Sequence, residues 1–129
     1  MRRRVHAGFT LVELTVTVVV VALLAAVAVP IYRGHAKRAM AAEGMGLVSA
    51  IRTAQRIWFA EYNTYTDNWL DIAGQVDYSK NRYFFTAPTL TASGRGSEAA
   101  FTATVVGSGD AAGVTVMIDE AGTITITGL

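Results

Sequence analysis

The sequence has no cysteine, two histidines and two prolines among 129 residues, and these scarcities remove whole classes of chemistry. Without cysteine there is no disulfide and no thiolate to act as nucleophile or metal ligand. The histidines, His6 and His35, flank one apolar stretch, and no serine has a plausible base near it, so a catalytic constellation cannot be drawn. No glycine-rich phosphate loop follows a strand-like run; Gly94-Arg95-Gly96 and Gly107-Ser108-Gly109 read as turns. Asp67, Asp71 and Asp77 lack the D-x-D-x-D-G spacing of a calcium loop. An enzyme is therefore not expected, and neither is a cofactor or a metal.

Charge is also scarce in one place. From Phe9 to Ile31 the only charged residue is Glu13, and as a helix this run would be about 35 Å long, enough for a single membrane crossing with some tilt. Ahead of it stand Arg2, Arg3 and Arg4, whose positive charge holds the N-terminus on the cytoplasmic side and sends the rest outward. An ordinary secretory signal would have a shorter apolar core followed by a small-x-small cleavage site. Here Gly8 and Phe9 sit at the junction of the basic and apolar parts, where a cut would remove the leader and leave the apolar helix attached. Glu13 is the anomaly, because a carboxylate inside a membrane helix costs about 3 kcal/mol even on lenient scales.

The run Gly8-Phe9-Thr10-Leu11-Val12-Glu13, with its short basic leader and apolar span, resembles the signature of type IV prepilins. The resemblance implies a chain cleaved by prepilin peptidase between Gly8 and Phe9 and methylated on the new Phe9 amine. It also implies polymerisation into a helical filament, a homo-oligomer built by pilus assembly machinery, in which Glu13 of one subunit receives the Phe9 amine of its neighbour. Pairing would offset the desolvation of both charges and fix their register. Pro30 removes a backbone donor and clashes with the Ala26 carbonyl, so a kink or a locally melted turn is expected there. Related pilins often carry a proline at the matching place; many also have a glycine where this chain has Ala22, and many close a C-terminal loop with a disulfide that this chain lacks.

The remainder reads as a head. Met40, Gly44, Leu47, Ile51, Ala54, Trp58 and Tyr62 form one stripe of an amphipathic helix with Val48 and Gln55 at its edge, and Lys37, Arg38, Ser49, Arg52, Thr53 and Arg56 lie on the other face. Residues 63–82 read as a long loop anchored by Trp69, Leu70, Ile72 and Val76. Alternation then marks strands around Phe101-Ala103-Val105, Val114-Val116-Ile118 and Ile124-Ile126, with Tyr83 to Thr86 as a fourth. Asp119 to Gly122 reads as the turn of a hairpin.

The expected fold is α+β: a long N-terminal helix, transmembrane in its lower half, packed by its upper half on a small C-terminal antiparallel sheet. The parts would be a cleaved leader (1–8), an apolar assembly segment (9–31) and an exported head (32–129). The expected location is the inner membrane, then an extracellular pilus. Two other readings share features with this one: a pseudopilin of a type II secretion or DNA-uptake system, and a signal-anchored periplasmic binding module that never polymerises. Nucleic acid is not an expected partner, because removing the leader takes three arginines and leaves the rest slightly acidic, with Glu43 and Glu61 among the scattered basic residues.

Overall fold

The computed structural model describes residues 8–129; the leader expected at residues 1–8 lies outside the described residues except for Gly8. One helix, α1, spans Leu11–Tyr62. Four strands follow, β1 (Thr89–Ser93), β2 (Ala100–Val106), β3 (Thr115–Asp119) and β4 (Ile124–Thr127). They pair antiparallel in the order β1-β2-β3-β4, so the chain is α+β. It divides into two compact units, Met1–Gly34 and His35–Leu129.

In the second unit the helix and the sheet share one core. Ala41, Leu47, Val48, Ile51 and Ala54 from α1 join Leu90, Phe101, Ala103, Val105, Val116 and Ile118 from the strands. Strand register explains why these residues meet. Leu90, Ala103, Ile118 and Ile124 stand opposite one another across all four strands, and Val105, Val116 and Ile126 form the next row. The intervening threonines and Met117 point to the other face, which gives the alternating burial of β2 and β3. Gly44 lets the helix approach closely: a Cβ there would come within 2.9 Å of the Phe84 ring and of Val116 Cγ2.

Both ends of this unit are tied by polar groups on α1 or just past its end. Asn63 takes a left-handed conformation (φ 57°) and stops the helix, while its carbonyl accepts from Gly96 N. Arg52 donates to the carbonyls of Glu120 and Ala121 at the tip of the β3–β4 hairpin. Lys37 donates to the Gly128 carbonyl. These two cations, on the face opposite the apolar stripe, bond the β3–β4 turn and the chain just after β4 to the helix.

The carboxylate of Glu43 accepts three backbone N–H groups, from Arg82, Tyr83 and Phe84, at 2.7 to 3.0 Å. Burial is the largest single influence and pushes its pKa up, but the three amides together outweigh it and hold the carboxyl below its ordinary value of 4.5. A lowered folded-state pKa means stability that is present above the unfolded value and lost as pH falls through the folded one. A truncated chain beginning at Arg33 is expected to lose thermal stability from about pH 4.5 downward. Part of that loss also comes from Asp77 and Asp119, which are lowered as well. Glu43→Gln isolates the first contribution: it should lower the melting temperature at pH 7 and flatten the acid slope. Parallel melting curves for the two proteins across pH 3 to 7 would contradict this.

The structure corrects four expectations. The fourth strand is Thr89–Ser93 rather than Tyr83 to Thr86, because the amides of Tyr83 and Phe84 are taken by Glu43 and Phe84 is fully buried. Val48 and Gln55 are not at the edge of the helical stripe but at its centre, each 0% exposed. Tyr62 is exposed and stacks on Trp58, with ring centroids 4.1 Å apart. Leu70 does not anchor the 63–82 loop; it is 79% exposed, while Ile72 and Val76 are buried.

Candidate assembly segment

Gly8, Phe9 and Thr10 form a short exposed lead into α1, with Phe9 89% exposed. Glu13 lies in the first helical turn. Its Oε2 accepts from Thr10 N at 2.9 Å and from Thr10 Oγ1 at 2.8 Å, and Thr10 Oγ1 accepts from Glu13 N at 3.2 Å. This is a reciprocal capping box, with Thr10 at the N-cap and Glu13 at N3, and it satisfies two of the donors left open at a helix start. The carboxylate is thus both oriented and partly bonded by its own chain. Sequence reasoning overlooked Thr10, although Thr-x-x-Glu ahead of an apolar run is the signal for this cap.

From Glu13 to Arg33 every residue of the helix is exposed. Val16, Val19, Leu23, Leu24, Val27 and Ile31 are all exposed, and an apolar window of this helix long enough to cross a membrane is 0% buried. Such a surface is incompatible with water as its only surroundings. Thr15 and Thr17 bond back to the Leu11 and Glu13 carbonyls, so their hydroxyls are satisfied within the helix. Pro30 lies inside α1, which is helical on both sides of it.

The family described as the prokaryotic N-terminal methylation motif matches residues 3–29, which include Gly8, Phe9 and Glu13. Over this segment the chain carries that motif, and the curated proteins it is similar to are type IV pilins and fimbrial proteins. The chain is 32% identical over 77 residues to the type IV major pilin protein PilA of Myxococcus xanthus, a match covering 60% of this chain and 33% of that protein. The fimbrial protein EcpC of Eikenella corrodens is 28% identical over 115 residues, 88% of this chain and 72% of its own. The type IV major fimbrial protein FimA of Dichelobacter nodosus is 38% identical over 50 residues, 39% of this chain and 31% of its own. The matches to PilA and FimA thus span about a third of those relatives' length. No solved structure matches the chain.

Proposed function

We propose that this chain is a structural, non-catalytic subunit of a type IV pilus, held in the inner membrane by the lower half of α1 before assembly. Prepilin peptidase cleaves between Gly8 and Phe9, the Phe9 amine is methylated, and the subunit joins a helical filament through its N-terminal segment. In the filament Glu13 receives the Phe9 amine of a neighbouring subunit. Pro30 is the place where the helix bends or loosens as subunits pack. The observation that carries the reading is the exposed apolar helix of residues 11–33 with one carboxylate, fixed by its own cap, in its first turn. A nucleic-acid role is less well supported, since Arg52 and Lys37 are engaged with backbone carbonyls of the head.

The capping box uses no atom ahead of the Phe9–Thr10 peptide bond, so cleavage leaves it intact. Mass spectrometry of sheared filaments should find subunits beginning at Phe9 with one added methyl group. Subunits that retain Met1 in filaments, or filaments lacking this protein altogether, would overturn the reading.

A further inference from the structure

Leu70 combines near-complete exposure with a rigid mount. It sits in a 3-10 turn, Trp69–Asp71, whose N-cap Asn68 accepts from Leu70 N. Asp71 in the same turn accepts from the Thr66 hydroxyl and from the Asn68 amide. Thr66 is fixed to the helix by two hydrogen bonds with the buried side chain of Gln55. Trp69 next to it packs edge-on against Tyr78. A large apolar side chain on a loose loop is unremarkable, but here the backbone that carries it has already lost its freedom. Such preorganisation removes much of the ordering cost of an interface.

A receptor of matching character lies on α1. Arg52, Thr53, Arg56, Ile57 and Ala60 line an open groove of about 400 Å³ on the helix. Ile57, one of the lining residues, is 53% exposed. Thr53 and Ile57 each stand two residues from Gln55, so the groove is on the side of the helix turned away from the 66–71 loop. One chain therefore cannot fill its own groove with its own Leu70. Charge follows the same division: Asp67 lies beside the leucine and Arg56 beside the groove. Among the described residues the only ion pair is Lys80–Asp77, so neither has an ionic partner among them.

We propose that Leu70 of one subunit seats in the Thr53–Ala60 groove of a second copy, with Asp67 against Arg56. The contact is heterologous, two different patches meeting, and repetition of such a contact builds an open helical array rather than a closed dimer. It rests on the filament reading above, and names the side chains by which neighbouring heads hold one another.

The lack of native cysteine makes the test direct. The full-length Leu70→Cys/Ile57→Cys chain is expressed in its own cells, and sheared filaments are treated with a short bis-maleimide. A ladder of dimers, trimers and higher species is expected, whereas either single cysteine should give no ladder. Charge exchange supplies a second arm that does not depend on the cysteines. Asp67→Arg and Arg56→Asp should each lower filament yield several-fold, and the two together should restore it. Normal yield from both single reversals, or intact doubly substituted filaments that give no ladder or dimers alone, would overturn the contact. Absence of filaments from the unaltered protein would instead overturn the pilus reading, so the two failures are distinguishable.

Discussion

Glu13→Val should leave processed subunit in the membrane at the usual level while sheared filament falls by about a hundredfold or more. Removing one partner of a buried ion pair costs about 3–5 kcal/mol, and each 1.4 kcal/mol is tenfold in an equilibrium constant. Two further effects act in the same direction. Valine is cheaper in lipid than a carboxylate, which favours the membrane-held state over the filament. The capping box with Thr10 is also lost, worth about 0.5–2 kcal/mol at a helix start. Glu13→Gln separates these causes, because a glutamine at N3 still accepts from the Thr10 N–H but carries no charge. If charge pairing is what assembly requires, glutamine should be nearly as deficient as valine. A normal yield from glutamine would reduce Glu13 to a cap, and a normal yield from valine would remove it from assembly altogether. Quantitative blotting of sheared and membrane fractions decides between these outcomes.

The features legible in the sequence are those written as periodicity or as a sharp change of composition. The apolar run from Phe9 to Ile31 stands out because it has one charge, and β2 and β3 stand out because Phe101-Ala103-Val105 and Val116-Ile118 alternate cleanly with polar neighbours. The hairpin turn at Asp119 to Gly122 is equally plain, and Thr123 N bonds the Asp119 carboxylate across it. β1 was hidden because Thr-Leu-Thr-Ala-Ser offers only two modest apolar residues, and its pairing with β2 supplies what its own sequence does not. Tyr83 to Thr86 carries more apolar surface, yet the amides of Tyr83 and Phe84 are claimed by Glu43, 40 and 41 positions away. No local pattern reports a contact of that range. Gln55 and Leu70 invert the usual rule in opposite senses, one polar and buried, the other apolar and exposed. Both belong to one hydrogen-bonded network that joins the helix to the 66–71 loop, and polarity alone assigns each to the wrong place. The Glu13 site was half legible: its charge announced it, while its bond to Thr10 needed the N-cap to be recognised as part of the same motif.

Loss of Gln55 is expected to be the most damaging single change in the head. Its amide donates to the Thr66 carbonyl at 2.7 Å and its carbonyl accepts from Thr66 N at 3.0 Å, so one side chain serves the backbone as a neighbouring strand would. Gln55 is 0% exposed and Thr66 6%, which leaves little access for water to replace either bond. A buried backbone group left without a partner costs about 1–3 kcal/mol, so Gln55→Leu should destabilise the head by about 2–5 kcal/mol although it keeps most of the volume. Gln55→Ala should lose somewhat more, since it opens a cavity as well. For a domain of this size each kcal/mol is about 4–8 °C in melting temperature, so the leucine protein should melt at least about 8 °C lower. The measurement is thermal unfolding of the truncated chain from Arg33, followed by tryptophan fluorescence. Trp69 lies in the loop concerned and Trp58 one helical turn from Gln55. The same substitution loosens the mount of Leu70, so full-length Gln55→Leu should also assemble less filament at a temperature where its head remains folded. A leucine protein melting within about 2 °C of the unaltered one would mean that the loop finds other partners for Thr66, and the rigid presentation of Leu70 would lose its foundation.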